Sequence, residues 1–268
     1  MTIIENYKLL KLLGKGSYGS VYEAKHIENN EKFAIKIEKS NKRSLFNEIC
    51  VLNKLRNINQ IPKIFNYGIY NDSYYFVMER LGMTIENFYY ECNSNKKFLE
   101  FIIQTMVIIK NIQQNGIIHR DIKPDNIILN IEKTKVYIID FGISKKYLDK
   151  YKNHKKKKLN NKIQGTVRYA SIFNHHGIEI TRRDDIISFL YSMIYILKGG
   201  LPWQNLNDDG KYLKILKKKQ NITSEDLCNS LHKNFHEILD YCYTINYDEE
   251  PDYDYIILSL NNINNLFS

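Results

Sequence analysis

Ile118-His119-Arg120-Asp121-Ile122-Lys123-Pro124-Asp125-Asn126 is the stretch that decides the reading of this 268-residue chain. It sets an imidazole, a guanidinium, carboxylates, an ammonium and an amide within a few positions of one another. Fourteen residues past Asn126 come Asp140-Phe141-Gly142, behind the apolar run Val136-Tyr137-Ile138-Ile139. Asp140 therefore sits at a strand end beside a flexible turn, where functional groups commonly occur. Upstream stand Gly14-Lys15-Gly16-Ser17-Tyr18-Gly19-Ser20-Val21 and Phe33-Ala34-Ile35-Lys36. Each stretch alone is a modest signal; the four in this order and spacing are a strong one.

Together they resemble the motif set of protein kinases: a glycine loop, a strand lysine, H-R-D-x-K-x-x-N and D-F-G. The resemblance implies transfer of the γ-phosphoryl of ATP with Mg2+. That chemistry explains the residue types. The transition state spreads negative charge over phosphate oxygens, so positioning and electrostatics supply most of the rate. Asp121 is expected to orient or accept the proton of the attacking hydroxyl, and Lys123 to neutralise the moving group. Asn126 and Asp140 offer hard oxygen ligands suited to magnesium. Lys36 is expected to hold the α- and β-phosphates, with Glu48 as the best placed carboxylate to fix it. Gly14, Gly16 and Gly19 let a backbone approach phosphate where a Cβ would clash. Val21, Ala34, Met78, Glu79 and Leu81 complete the expected ATP site. A dinucleotide fingerprint would follow a strand and open a helix; here strand-like residues follow the last glycine instead. His119 reads as a scaffold for its loop.

Strand-like runs at 7–13, 19–26, 32–38, 64–69 and 74–79, with a helix near 43–56, describe a small sheet with one helix. Beyond Thr84 the period becomes helical. Phe98, Phe101, Ile102, Thr105, Met106, Ile109 and Ile112 form one apolar stripe, which ends at Asn115-Gly116. A second apolar helix runs from about Asp185 to Leu197 and stops at Gly199-Gly200. The expected fold is α+β and bilobal. One protein kinase domain covers 1–268, with a small mainly-β N-lobe over about 1–78, a hinge over 79–83 and a larger mainly-α C-lobe over 84–268.

Hydrophobic content of 43% and charged content of 26% are ordinary for a globular protein. Residues 1–6 lack the basic start of a signal peptide, and no apolar run reaches the roughly 18 residues of a membrane span. Cys50, Cys92, Cys228 and Cys242 are scattered without CxxC spacing. They read as reduced thiols of a cytoplasmic or nuclear protein, expected as a monomer.

The second half narrows the resemblance. Gly165-Thr166-Val167-Arg168-Tyr169-Ala170-Ser171-Ile172 and Gly177-Ile178-Glu179 resemble the casein kinase 1 family. So do Arg182-Arg183-Asp184-Asp185, Leu201-Pro202-Trp203-Gln204 and Pro251-Asp252-Tyr253, and the likeness runs from about Tyr7 to Phe267. No A-P-E triplet is present where most other kinases carry one. The resemblance implies Ser/Thr as acceptor in acidic or already phosphorylated proteins. Arg168 and Lys211 match family positions that bind a substrate anion; Arg168 has the alternative of pairing with a local carboxylate. Arg182 and Arg183 are open between pairing with Asp184 and pairing with the catalytic loop. The chain departs from the family at Arg80 (usually apolar), Met83 (usually proline) and Leu190 (usually glycine). The sequence stops at Ser268, and autoinhibition by a tail is not expected.

Between Ile143 and Gln164 lie nine lysines and one aspartate, +8 of the chain's +9. The segment 145–162 is either a solvated mobile loop, a field that draws acidic substrates, a nuclear targeting signal, or a weak contact to nucleic acid or an anionic surface. Two rivals to an active kinase stay open: a pseudokinase scaffold, and a kinase tethered through these lysines.

Overall fold

The computed structural model describes residues 2–16, 19–39, 44–92, 94–160, 162–206 and 211–264, with Ser44 and Lys211 described in backbone only. Two compact units divide the chain: Met1–Met83 with Ile128–Ser144, and Thr84–Ile127 with Lys145–Ser268.

The first unit is built on an antiparallel sheet. Its strands are β1 (Ile3–Ile4), β2 (Tyr7–Lys15), β3 (Gly19–His26), β4 (Lys32–Glu38), β5 (Ile64–Tyr70) and β6 (Ser73–Glu79), in spatial order β1-β2-β3-β4-β6-β5. The register fixes which side chains share a face. Gly14 lies opposite Val21, Val21 opposite Lys36, Glu23 opposite Ala34, and Ala34 opposite Met78. Side chains alternate along a strand with period two, so these six occupy one face. The opposite face carries the cluster of Tyr7, Ala24, Phe33, Ile35, Tyr75 and Val77. Five strands were legible from the run lengths, each to within two residues; β1 was not, because a two-residue strand carries no period.

Helix α1 (Ser44–Lys54) buries Leu45, Ile49 and Leu52 at i, i+4, i+7 spacing. Glu48 shares that buried face and is 2% exposed. The helix start is capped from the sheet: Leu45 N donates to Glu38 Oε1 at 3.0 Å.

Helices dominate the second unit. α2 (Ile85–Glu91) and α3 (Asn95–Gln114) are followed by the strand pair β7 (Ile117–Ile118) and β10 (Lys145–Lys146). Another short pair, β8 (Ile127–Leu129) with β9 (Val136–Ile138), belongs from Ile128 onward to the first unit. Then come α4 (Ile172–His175), α5 (Arg182–Lys198), α6 (Lys211–Asn221), α7 (Ser224–Leu227), α8 (Asn234–Thr244) and α9 (Tyr253–Asn264). The apolar stripe of α3 is buried as expected, and its end falls at Asn115 and Gly116. α5 starts three residues before the expected Asp185, because Thr181 and Asp184 form a capping box, with Thr181 N donating to Asp184 Oδ2 at 2.8 Å. It closes at Gly199 with φ 70°, a left-handed cap. Leu190 is fully buried in it.

Gly14 and Gly19 make a contrasting pair. A Cβ on Gly14 would meet nothing within 4 Å, whereas one on Gly19 would run into the Ile37 carbonyl oxygen of the neighbouring strand. Gly19 is therefore required by the sheet itself, a reason the sequence reading did not supply. Gly19→Ala is expected to cost about 1–3 kcal/mol of stability, and Gly14→Ala to change it by less than about 1 kcal/mol. Thermal melts of the two variants side by side check this; equal melts would remove the steric explanation.

Candidate active site

In the first unit the structure brings Lys36, Glu48 and Asp140 together. Lys36 Nζ lies 2.7 Å from Glu48 Oε2, 2.9 Å from Glu48 Oε1 and 2.7 Å from Asp140 Oδ1. Burial works to lower the Lys36 pKa, but the two carboxylates outweigh it and hold the ammonium above its usual range. Phe141 N donates to Glu48 Oε1 at 3.2 Å, so the turn after Asp140 is fastened to the same carboxylate. Asp140 has φ 65°, a left-handed conformation that the turn must impose on a non-glycine residue.

Residues 80–83 line a groove with Glu23, Lys32 and Asn130. Arg80, one of the family departures, reaches Glu23 Oε1 at 3.4 Å, and Lys32 reaches the same oxygen at 3.6 Å. Gly82 allows a close crossing: its N donates to Leu129 O at 2.7 Å, and a Cβ there would lie 2.8 Å from Asn130 O.

The second unit holds Asp121, Lys123 and Asn126 in one cluster. Lys123 Nζ lies 2.9 Å from Asp121 Oδ2. Asn126 Nδ2 donates to Asp121 O at 2.9 Å. That commits the amide NH2 and leaves the carbonyl oxygen as the atom Asn126 can offer a cation. Thr166 completes the group: its N and Oγ1 both donate to Asp121 Oδ1, at 2.8 and 2.7 Å, and Lys123 Nζ donates to Thr166 Oγ1 at 3.0 Å. Thr166 was quoted in the sequence as part of a family string but not singled out as a site residue. Its position next to Gly165 was the available signal. Gly165 has φ 74°, and a Cβ on it would strike the Arg120 carbonyl oxygen.

The backbone beneath is fixed from α5. Asp185 accepts from His119 N and from Arg120 N, each at 2.8 Å. His119 is 1% exposed, and its Nδ1 accepts from Asp121 N at 3.2 Å, as a scaffold should. Arg182 and Arg183 take neither open reading. Arg182 donates to Asp248 O and stacks 4.9 Å over Tyr147, and Arg183 donates to Ile245 O and stacks over Phe173. Both serve to tie backbone carbonyls to α5.

Arg168 does not pair with a local carboxylate. Its guanidinium stacks 5.3 Å from the Tyr195 ring and 5.9 Å from that of Tyr169, while its carbonyl accepts from Trp203 Nε1 at 2.8 Å. The side chain of Lys211 lies outside the described residues. Lys219, which sequence reasoning passed over, is 2% exposed and donates to Val167 O at 3.2 Å and Ala170 O at 2.5 Å. It lies 5.0 Å from the rings of both Tyr191 and Trp203. Burial without a carboxylate pushes its pKa well below the usual lysine range. His175 Nε2 faces it at 3.4 Å.

Among the described residues no cluster of three or more His, Cys, Asp or Glu side chains could hold a metal. Nor is any described helix long and apolar enough to cross a membrane. Magnesium does not need such a cage, because one or two carboxylates plus substrate phosphates commonly hold it. Asn126 and Asp140 each offer an oxygen of the kind that habit uses.

The sheet-plus-helices architecture, with its lysine–carboxylate cluster and its Asp-Lys-Asn cluster, is that of an α+β, bilobal kinase fold. The family comparison agrees: the protein kinase domain matches residues 7–254, and the chain belongs to that family. Membership implies ATP and Mg2+ as the general requirements of the reaction and protein as its substrate.

Two outcomes are expected. Thr166→Val keeps the β-branched shape and removes the hydroxyl from Asp121. It should lower turnover by up to about a hundredfold while costing about 0.5–1.5 kcal/mol of stability. Turnover at the wild-type level would show that Thr166 does not position Asp121. The second concerns pH. Burial, then the Lys219 charge, bring the His175 pKa from 6.5 down to about 3. A folded pKa below the unfolded one gives stability that is whole above the unfolded value and is lost as pH falls towards the folded value. The melting temperature should therefore drop between pH 6.5 and 3, and His175→Asn should flatten the drop. Superimposable profiles for the two proteins would acquit this ring.

Proposed function

We propose that this chain is an active Ser/Thr protein kinase of casein kinase 1 type, which transfers the γ-phosphoryl of MgATP to acidic or pre-phosphorylated proteins. The observation that carries the reading is the Asp121 cluster: its carboxylate has one oxygen held by Thr166 and the other beside Lys123. In this mechanism Asp121 Oδ2 takes the proton of the acceptor hydroxyl, whose oxygen attacks the γ-phosphorus while the bond to ADP breaks. Lys123 balances the charge on the transferred group. Lys36, fixed by Glu48, holds the α- and β-phosphates, and Gly14, Gly16, Val21, Ala34, Met78, Glu79 and Leu81 shape the nucleotide site. Asn126 and Asp140 would hold magnesium, which supplies charge neutralisation of the phosphates when bound.

The substrate preference rests on Arg168. Its guanidinium lies 5.9 and 5.3 Å from the Tyr169 and Tyr195 rings, feels the Asp125 charge, and has no carboxylate within ion-pair distance among the described residues. A phosphoserine bears about −1.5 to −2 charges, and a charge-assisted hydrogen bond to it contributes roughly 1.5–3 kcal/mol.

The expected results are as follows. Asp121→Asn lowers phosphate incorporation by about 10²–10⁴-fold; undiminished incorporation would leave the pseudokinase reading standing. Peptides with a phosphoserine three residues before the acceptor are preferred over unphosphorylated ones. Arg168→Ala removes about 10- to 100-fold of that preference. Phosphoamino-acid analysis returns phosphoserine and phosphothreonine, and phosphotyrosine alone would refute the class.

A further inference from the structure

The lysine-rich segment is built into the second unit. Asp149 Oδ1 accepts from Tyr151 N at 2.8 Å and Asn153 N at 2.9 Å, closing a turn. Leu148 bridges back to His154, whose ring packs between Tyr147 and Tyr247 and reaches Thr181 Oγ1 at 3.0 Å. Further on, Glu179 N donates to Lys158 O at 2.9 Å, Asn160 N donates to Gly177 O at 2.6 Å, and Leu159 bridges Ile178. These bonds replace the mobile-loop expectation with a chain held at both ends.

Two lysines are spent on that framework: Lys145 pairs with Glu179, and Lys155 donates to Lys146 O at 2.7 Å. Lys146, Lys150, Lys152, Lys156, Lys157, Lys158 and Lys162 are exposed, with no carboxylate in ion-pair reach among the described residues. The surface continues past Gly177, because the His176 ring meets the Gln220 side chain of α6 at 3.1 Å. The same helix carries the exposed Lys217 and Lys218.

Three features select the partner. The field is strongly positive, so the partner is anionic. All its described cations between 143 and 164 are lysines. A lysine is a hydrated point charge on a flexible stem and lacks the planar fork that arginine uses to read one phosphate. The field therefore suits a smeared array of charges. Finally, Leu159, next to Lys158, is 75% exposed, and Tyr151, between Lys150 and Lys152, is 71% exposed with Lys150 Nζ 4.7 Å over its ring. Leu159, which has no polar atom in its side chain, gains nothing from a nucleic-acid backbone. It gains from entering the boundary between lipid headgroups and acyl chains.

We infer that this face docks the kinase on an anionic lipid bilayer, with the lysines over the headgroups and Leu159 and Tyr151 seated at the boundary. Juxtamembrane lysines are attracted to such surfaces within a screening length of about 8 Å. The test is co-sedimentation of the full chain with phosphatidylcholine vesicles, alone or with about a quarter phosphatidylserine. The chain should pellet with the anionic vesicles only and be released as salt rises. Replacing Lys156, Lys157 and Lys158 with alanine should weaken binding roughly a hundredfold. Leu159→Ser, which keeps every charge, should weaken it roughly tenfold. Both sites are exposed, and matching thermal melts confirm that the variants fold. Absence from the anionic pellet, or equal pelleting with neutral vesicles, would overturn the inference. So would unaltered vesicle binding by Leu159→Ser together with retention of the chain on duplex DNA through the same lysines, which would make the partner a nucleic acid.

Discussion

The first unit depends on one buried ammonium. Lys36 is 8% exposed, and a charge withdrawn that far from water is tolerated only when it is paired and hydrogen-bonded. Its partners come from different elements: Glu48 from the buried face of α1, 12 residues on, and Asp140 from the turn after β9, 104 residues on. Removing the ammonium would leave Glu48 buried and uncompensated beside Asp140, at a cost of about 3–5 kcal/mol. The ion cluster therefore fixes where the helix lies against the sheet and where the 140–142 turn begins. Phe141 N on Glu48 adds a second fastening to the same carboxylate. One ammonium cannot neutralise two carboxylates, so Lys36 is outnumbered within the cluster.

In the second unit the comparable constraint is backbone geometry. Arg120 has φ 74°, a left-handed conformation costing about 1–3 kcal/mol for a residue with a side chain. Its surroundings over-determine it. Asp185 accepts from two successive amides of the loop, and Gly165 passes the Arg120 carbonyl where no Cβ fits. That strain turns Asp121 towards Thr166 and Lys123 and keeps it there. A carboxylate held by two donors on one oxygen loses little freedom when it acts, which is how a rigid scaffold serves catalysis.

What the sequence made legible follows from which physics is local. Apolar period and punctuating glycines delimited the strands of the sheet, α3 and the end of α5, because those signals repeat over several residues. Motif residues such as Lys36, Asp121 and Asn126 could be picked out because phosphoryl transfer demands their residue types. The approach of Asp140 to Lys36 could not be read from spacing, since 104 residues separate them. Thr166 was missed for the same reason: a hydroxyl is chemically ordinary until folding sets it on a carboxylate. The start of α5 was misplaced because its capping box uses Asp184 where a glutamate or glutamine would have been the plainer signal. The expected role of Gly19 was incomplete because the clash that excludes a Cβ involves the neighbouring strand.

Charge is the property that sequence describes worst, and α6 shows why. Lys217, Lys218 and Lys219 are identical neighbours, contributing equally to the net +9. A helix turns about 100° per residue, and that rotation alone separates their fates. The first two stand in solvent, while Lys219 is turned inward onto two carbonyls and two aromatic faces. Arg182 and Arg183 make the same point at the start of α5, where a family string suggested ion pairs and folding supplied carbonyls and rings instead. A side chain used in this way is withheld from direct contact with a partner, yet it holds the 166–170 segment or the 245–248 backbone in place. The field a partner meets is therefore set mainly by the lysines that folding leaves in solvent, and among the described residues the densest group of them runs from 146 to 162.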